Sequence, residues 1–404
     1  MRSLAGGVAV PVLAMALGHM LSNMVRTLPA IAADQMVGDL AITPGLLAVM
    51  LGAFQLSFAA GQLPLGVALD RFGVRRTSLT LFAIVLAGIV VAAITPGAAG
   101  FLLAQVVMGI GCCGMLLCPI TYAAKRLSGA RFAVWPGLLL GLGNSGMLLS
   151  ASPLAWLVER ADWRAGFWAS ACFGVLAMLL VAILLKDDRP PAAADRPRLA
   201  GEVVQVVRMM GTRKLRALIV VAFVSFAGMI GVRGLWGGPW LMEVKGLGRL
   251  EAGNILLLAT VALAVGPALA GLIARLSRNH LLLLFLGHAL SGVTLLLIVA
   301  GGPDGWVSSL FGMPSMPPLW DTGMLLLFGI FQGSQALIFV MTRAGVAPEE
   351  AGKALAAVNF SFFVGAAVLQ IASGAAAELA GPGGGIAFFG LALSIGTGLA
   401  VRWR

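Results

Sequence analysis

Two arginines lie inside long apolar runs, where a charged side chain is costly. Arg26 falls in a run over about residues 9–32, and Arg233 falls in a run over about residues 216–242. An arginine at the centre of a bilayer costs ~2.5–3.5 kcal/mol on insertion scales, so such residues usually face a cavity or a partner. A guanidinium can donate two parallel hydrogen bonds to a carboxylate or a phosphate. The sequence therefore predicts that Arg26 and Arg233 bind an anion.

The helix that carries Arg26 also carries a polar stripe. His19, Ser22, Asn23 and Arg26 follow the i, i+3, i+4, i+7 spacing that places residues on one helical face. A polar stripe in an apolar helix is typical of a cavity lining, and His19 could titrate near neutral pH. The predicted substrate-binding residues are Arg26, Arg233, His19, Asn23, Trp236, Gln332 and Asn359.

Purely structural interpretations of these residues remain open. Each arginine could extend to an interface or pair with Asp34 or Glu243 near the end of its own helix. Most of the amide side chains within the apolar runs are typical of hydrogen bonds between helices. Trp236 could simply pack in an aromatic core.

The composition indicates what must position these residues. The chain has 404 residues, of which 60% are hydrophobic and 11% are charged, against ~25% charged in soluble domains. Spanning helices need ~20 mostly apolar residues, and twelve such runs occur, at about residues 9–32, 44–68, 77–95, 100–123, 133–158, 165–185, 216–242, 251–274, 281–301, 321–342, 353–378 and 383–402. The sequence therefore predicts an all-α membrane protein with twelve transmembrane helices.

The distribution of basic residues predicts the orientation. Most Lys and Arg residues fall in one set of loops and at both termini, whereas the opposite loops carry Arg160, Arg164, Lys245 and Arg249. This asymmetry predicts cytoplasmic N and C termini. In so apolar a chain, the net charge of +11 indicates loops facing an anionic membrane surface, and we exclude nucleic acid as a partner.

The chain is organised as two similar halves. A charged, Pro-containing stretch separates six runs from six, which predicts bundles at residues 1–188 and 213–404 joined by a cytoplasmic loop at 189–212. Arg26 precedes Gly66 by about the same distance as Arg233 precedes Gly271. The spacing indicates a duplicated six-helix unit, a plan found among transporters.

One loop motif resembles a family signature. Residues 66–76 read Gly-Val-Ala-Leu-Asp-Arg-Phe-Gly-Val-Arg-Arg, which resembles the G-x-x-x-D-R-x-G-R-R loop of the major facilitator superfamily. The resemblance implies that the loop gates the cytoplasmic side, with Asp70 at a helix N-terminus, where an anion is favoured. The second half keeps Gly271 and Arg275 but lacks the Asp. The predicted gating residues are Gly66, Asp70, Arg71, Gly73, Arg75 and Arg76.

The resemblance implies a secondary transporter of a small solute, working by alternating access through a cavity between two six-helix bundles. We expect an organic anion as the solute, because arginines in spans 1 and 7 are similar in placement to those of the organophosphate:phosphate antiporter family. The expected protein is a monomeric, multi-pass protein of the bacterial inner membrane. It is not an enzyme, and it has neither a cofactor nor a resident metal.

Three alternatives remain open. The first is a proton-coupled drug exporter, although span 5 departs from the glycine-rich motif of that group and all sixteen carboxylates fall in loops or near span ends. The second is a copper importer, because thioether and thiol ligands suit Cu(I) and several lie in spans 1 and 4, at Met20, Met24, Met108, Cys112, Cys113, Met115 and Cys118. The third is a non-transporting solute sensor with the same fold.

Overall fold

The computed structural model describes residues 2–127, 135–186, 208–213, 215–277, 279–347 and 350–403. Within these ranges, the side chains of residues 2–6, 70, 136–137 and 351–352 are not described. Most of the predicted central loop at 189–212 lies outside the described residues. Throughout the described ranges the secondary structure is helical, and no strand occurs there.

The described residues of the first half of the chain form nine α-helices. They are α1 Arg2–Thr27, α2 Pro29–Asp39, α3 Pro44–Ile94, α4 Ala98–Cys112, α5 Leu117–Arg126, α6 Trp135–Asn144, α7 Gly146–Leu149, α8 Ser152–Arg160 and α9 Trp163–Leu184. The predicted first span continued to residue 32, but α1 ends at Thr27 and Pro29 begins a new helix. Proline is favoured at the first position of a helix because it lacks the N–H that has no partner there.

The described residues of the second half form eight α-helices and three short segments of π- or 3₁₀-helix. The α-helices are α10 Arg216–Gly231, α11 Gly237–Pro239, α12 Arg249–Leu276, α13 His280–Ala300, α14 Trp306–Leu310, α15 Pro318–Gln332, α16 Ala336–Ala344 and α17 Ala351–Arg402. Two π-helical segments, Val232–Trp236 and Trp240–Val244, flank α11, and a 3₁₀ turn, Gly333–Gln335, joins α15 to α16.

Eleven helical stretches of the described chain are long and apolar enough to cross a membrane. Two of them are the halves of α3, which turns at Gly73 with φ 79°. The last stretch runs over Lys353–Arg402 and contains non-helical residues at Ala380 and Gly381. Because ~20 residues suffice for one crossing, this stretch is long enough for the two predicted spans on either side of Gly381. The total of twelve spans and the side on which the termini lie stay predictions.

The chain divides into two compact units, while the bundles at residues 1–188 and 213–404 stay a prediction. The first unit contains residues 1–28, 38–41 and 53–199, and the second contains residues 29–37, 42–52 and 200–404. Two segments of the predicted N-terminal bundle therefore pack with the second half of the chain.

Aromatic and backbone contacts hold the first unit together. The rings of Phe101, Trp163 and Phe167 are buried and meet edge to face, with centroids 5.8–6.0 Å apart. Such pairs contribute ~0.5–1.5 kcal/mol beyond their buried area. Gly111 lets α4 approach the backbone of Val85 on α3, where a Cβ would overlap the chain.

In the second unit, segments 29–37 and 42–52 pack against helices of the second half. A Cβ at Gly238 would overlap the carbonyl oxygen of Ala30, so the two backbones touch there. Arg249, the first residue of α12, donates to both carboxylate oxygens of Asp34, at 2.9 and 2.6 Å, and to the carbonyl oxygen of Ile31. Small residues thus permit the approach, and an ion pair fixes it.

Candidate functional site

Arg26 lies in the last turn of α1 and is buried, with 6% of its surface exposed. Its guanidinium contacts Ser22 Oγ and Asn23 Oδ1, each at 3.4 Å. The Phe54 and Phe58 rings on α3 lie 5.3 and 4.9 Å from its Cζ. A cation over an aromatic face is stabilised by the ring quadrupole. The aromatic contacts were not predicted, because nothing in the sequence relates α1 to residues one helix away.

The polar stripe on α1 points toward α6 and α7 of the same unit. Asn23 Nδ2 donates to the carbonyl oxygen of Gly143 at 3.0 Å and lies 3.5 Å from Nε2 of His19. Gly143 itself lies against the His19 ring, where a Cβ would overlap it. His19, Ser22, Asn23 and Arg26 share one face of α1, as the spacing predicted, and that this face lines a cavity stays a prediction.

Arg233 lies in the first π-helical segment and is 2% exposed. Its Nε donates to Thr260 Oγ1 on α12 at 2.7 Å. The widened turn is seen in the bond from the Gly237 amide to the Val232 carbonyl, which spans five residues. Such turns often mark functional sites. Pro239 has no backbone N–H, so it cannot donate the hydrogen bond to the fourth residue before it that a regular α-helix requires.

Trp236 is buried next to Arg233 and lines a cavity of about 140 Å³ in the second unit. Its indole N–H donates to Ser373 Oγ at 2.9 Å. The other walls are apolar, apart from the carboxylates of Asp34 and Glu243. Glu243 is exposed there, while Asp34 is held by Arg249.

Gln332 belongs to a buried polar network in the second unit. Its Nε2 donates to the carbonyl oxygen and Oγ of Ser225, at 2.7 and 2.9 Å. Ser225 Oγ lies 2.7 Å from His288 Nε2, and His288 Nδ1 lies 2.9 Å from the Leu284 carbonyl oxygen. This network joins α10, α13 and α15. Gln332 therefore makes hydrogen bonds between helices, which is the other interpretation that the sequence left open for the amide side chains. Asn359 is half-buried on α17.

The residues of the signature loop form a tight turn between the two halves of α3. Gly73 has φ 79° and is buried, a backbone conformation that glycine adopts without strain. Arg75 Nη2 donates to the carbonyl oxygen of Ala182 at 2.9 Å, close to the C-terminal end of α9. A cation is favoured there by the helix dipole.

The other gating candidates are placed as follows. Arg71 lies over the exposed ring of Phe72, with its Cζ 5.5 Å from the centroid, and Arg76 and Gly66 are exposed. The Asp70 side chain lies outside the described residues. The gating role of the loop stays a prediction.

A buried ion pair near one end of α15 was not predicted. Lys245 Nζ lies 3.1 Å from Asp321 Oδ2, and the two side chains are 2% and 0% exposed. Lys245 also donates to Ser315 Oγ and to two carbonyl oxygens, at 2.9–3.0 Å, and Trp240 Nε1 donates to Asp321 Oδ1 at 2.7 Å. From the sequence, Lys245 is predicted to lie in a loop between two spans. No local pattern reveals that the two charges meet.

One carboxylate outside the spans has a shifted pKa. Asp39, at the end of α2, accepts from Arg164 Nη1 at 2.8 Å and from Trp163 Nε1 at 3.0 Å. The hydrogen bond from Arg164, and then that from Trp163, lower the pKa of Asp39 below its ordinary value. These contacts join α2 to the start of α9 within the first unit.

The structure offers little to a metal ion. Among the described residues, no group of three or more His, Cys, Asp or Glu side chains is arranged to hold one. The side chains of Cys112, Cys113 and Cys118 are buried, as apolar packing in spans would place them.

Comparison with known proteins gives a consistent family. The sequence model of the Major Facilitator Superfamily matches residues 15–370. The chain is 28% identical to the multidrug resistance protein MdtL of Escherichia coli (strain K12 / DH10B) over 336 residues, which cover 80% of this chain and 78% of that protein. It is 25% identical to the uncharacterized MFS-type transporter YbcL of Bacillus subtilis over 243 residues, 59% of each chain.

A third relative is matched over a shorter part. The multidrug resistance protein B homolog of Mycobacterium tuberculosis (strain ATCC 25618 / H37Rv) is 29% identical over 186 residues, which cover 44% of this chain. The chain spans about a third of that relative's length, 33%. Two solved structures of POT family transporters, bound to 5-aminolevulinic acid and to a thioalcohol-conjugated peptide, share the fold. Their TM-scores are 0.77 and 0.78 at 11% and 12% identity, and the alignments cover 99% of this chain and 96% of each structure.

Proposed function

The chain belongs to the Major Facilitator Superfamily, and from that premise we propose that it carries a small organic anion across the bacterial inner membrane by alternating access. Members of this family are multi-pass membrane transporters and not enzymes. The anionic solute, the inner membrane and a monomeric state are part of the proposal.

The observation that carries the proposal is the burial of two arginines inside membrane-spanning stretches. Arg26 lies in Gly7–Thr27 and Arg233 in Arg216–Val244, and both are at most 6% exposed. A cation kept at such a place against an insertion cost of ~2.5–3.5 kcal/mol usually serves a substrate or ion pathway. The contacts of Arg26 include a hydroxyl, an amide oxygen and two ring faces, which orient the guanidinium.

If Arg26 and Arg233 bind an oxyanion through their planar guanidinium groups, replacing either by lysine should have a specific effect. Lysine keeps the positive charge but loses the flat fork of donors. Since a hydrogen bond to a charged group contributes ~1.5–3 kcal/mol, Arg26→Lys and Arg233→Lys should each weaken anion binding about tenfold or more. Alanine at either position should weaken it further.

The test has two stages. Thermal unfolding of the purified full chain is first screened against mono- and dicarboxylates, phosphate esters, cationic drugs and Cu(I), because a ligand at 100 times its Kd adds ~2.7 kcal/mol of apparent stability. Uptake of the selected anion into proteoliposomes is then compared between the arginine variants and Arg160→Lys. Arg160 is exposed, on the face of Trp156, so its variant should transport normally. Unchanged anion uptake in both arginine-to-alanine variants would refute the proposal.

A second candidate function is transport of drugs. The names of two relatives, MdtL and the multidrug resistance protein B homolog, favour it. If the solute is a cationic drug, the same screen selects that drug, and Arg26→Ala and Arg233→Ala leave its transport unchanged or increase it, because they remove repulsion. A solute sensor would bind the selected ligand and give no uptake.

A further inference from the structure

The segment between α13 and α15 presents an apolar surface on a rigid support. It comprises residues 301–320 and contains the short helix α14. Four side chains that share its outer surface are largely exposed: Trp306 at 65%, Leu310 at 74%, Phe311 at 60% and Met313 at 46%. Val307 and Ser308, on the inner side of α14, are buried at 3% and 0%. One side of α14 therefore packs against the protein, and the large apolar side chains of Trp306 and Leu310 point away from it.

The support beneath this surface is built from charges and hydrogen bonds. Lys245 donates to the Gly301 and Met316 carbonyl oxygens and to Ser315 Oγ, so it ties both ends of the segment to the second unit. Ser308 Oγ donates to the Gly302 carbonyl oxygen at 2.9 Å and accepts from the Met316 amide at 3.2 Å. The exposed aromatic and aliphatic residues are thus held in place.

Position and charge indicate what covers the surface. The segment connects two membrane-spanning stretches, His280–Ala300 and Pro318–Ala344, so it begins and ends at a bilayer boundary. Residues 301–320 contain no Lys or Arg, and Asp304 is their single charged residue. Leu319, exposed at 78%, continues the apolar surface into the outward face of α15. Aromatic residues are enriched at the boundary between acyl chains and headgroups.

We propose that the surface formed by Trp306, Leu310, Phe311 and Met313 inserts into the headgroup–acyl boundary of the leaflet next to it and anchors the second unit there. The ligand is lipid of any headgroup charge, because the surface lacks the basic residues that select anionic lipid. Amphipathic helices that lie in this boundary bury their apolar face ~5–10 Å into it, and the side chains of this surface need reach no deeper. The proposal concerns the membrane and does not depend on which solute is transported.

The test places an environment-sensitive nitrobenzoxadiazole fluorophore on the surface of the full chain in phosphatidylcholine vesicles. Cys172 is exposed, whereas Cys112, Cys113 and Cys118 are buried, so Cys172→Ser provides the background and Leu310→Cys the labelling site. Gly38→Cys is the control, because Gly38 is exposed with open space around its Cβ position and is predicted to lie on the same side of the membrane.

The expected result is a blue-shifted fluorophore at position 310. It should be quenched by doxyl lipids labelled near the acyl carbonyl and protected from aqueous iodide, whereas the fluorophore at position 38 should show the reverse. Phe311→Ser should reduce the lipid quenching at position 310 without changing the thermal unfolding in detergent, since Phe311 is exposed. Equal iodide quenching at both positions would overturn the proposal. Protection in native membranes but not in lipid vesicles would also overturn it and would indicate a protein partner.

Discussion

At the residue scale, Thr260 fixes the direction of the Arg233 guanidinium from a different helix. The bond between Arg233 Nε and Thr260 Oγ1 is 2.7 Å long and buried, and removing a hydrogen bond to a charged group costs ~1.5–3 kcal/mol. Thr260→Val should therefore lower the unfolding temperature and weaken binding of the anion, while Thr260→Ser should restore both.

The matched control for this prediction is Thr397→Val. Thr397 is also buried in the second unit, but its hydroxyl donates to the Leu393 carbonyl of its own helix. That variant should leave ligand affinity unchanged. Equal affinities for Thr260→Val and the parent chain would show that Arg233 does not need this hydroxyl for its role.

The lowered pKa of Asp39 predicts that this residue stabilises the fold at neutral pH and not in acid. Its pKa in the folded chain is lowered, first by the hydrogen bond from Arg164 and then by that from Trp163, so the carboxylate binds fewer protons folded than unfolded. Its stabilising contribution is complete above the ordinary carboxyl pKa of ~3.9 and is lost as the pH falls through the lower folded value. Because the pair is exposed, the contribution is below about 1 kcal/mol.

The measurement compares chemical unfolding of Asp39→Asn and the parent chain between neutral pH and pH 3. We expect the variant to be less stable at neutral pH and the difference to shrink below pH 4. Asp304→Asn serves as the control: Asp304 is exposed and has φ 56°, which asparagine tolerates. A stability difference for Asp39→Asn that stayed constant over this pH range would contradict the assignment.

At the scale of elements, the buried pair of Lys245 and Asp321 holds the second π-helical segment to α15. Both side chains are at most 2% exposed, so removing one leaves the other as an uncompensated buried charge, which costs ~3–5 kcal/mol. Asp321→Asn should therefore lower the unfolding free energy by several kcal/mol. The double variant Lys245→Met, Asp321→Leu should recover most of it, because no charge is then left buried.

The control for the ion pair is Arg164→Met, which breaks an exposed pair with Asp39 and should cost less than about 1 kcal/mol. Thermal or denaturant unfolding of the full chain distinguishes the two cases. Equal losses for Asp321→Asn and Arg164→Met would show that burial does not govern the strength of these pairs here.

The pattern of apolar residues predicted where the helices lie in the sequence but not which helices contact each other. The predicted runs at 165–185 and 281–301 match Trp163–Leu184 and His280–Ala300 closely, because a continuous apolar stretch between charged ends defines a span. The predicted start at residue 77 was wrong, since the second half of α3 begins near Arg71. The two halves of α3 are joined by a tight turn at Gly73, whose φ is positive. The run of arginines had instead predicted a longer loop.

The same limit applies to the candidate site. The spacing of His19, Asn23 and Arg26 on one helix was sufficient to predict that they share one face. The rings of Phe54 and Phe58 over Arg26, and Thr260 beside Arg233, are contacts between helices distant in sequence. A single sequence carries no signal for such pairs, since each partner is an ordinary residue of its own apolar helix.

At the scale of the whole molecule, the packing of segments 29–37 and 42–52 with the second half bears on the proposed alternating access. These segments belong by sequence to the predicted N-terminal bundle, yet Arg249 bonds to Asp34, and Thr43 Oγ1 donates to Glu378 at 3.1 Å. If the two bundles move against each other during transport, these contacts must break in the alternative state. We therefore expect them to set the balance between the two states.

Asp34→Asn should shift that balance measurably. The Asp34 and Arg249 side chains are 39% and 13% exposed, and a pair of this exposure contributes up to ~1 kcal/mol, which corresponds to about a fivefold change in an equilibrium constant. Ala377 lines the cavity beside these segments and is 6% exposed. A cysteine at position 377, in the Cys172→Ser background, should react several times faster with a membrane-impermeant maleimide when Asp34→Asn is present. Asp304→Asn should leave the rate unchanged, and the conservative Asp34→Glu should restore slow labelling. An Asp34→Asn chain that is labelled as slowly as the parent, with an unchanged unfolding temperature, would show that these contacts do not set the balance between the two states.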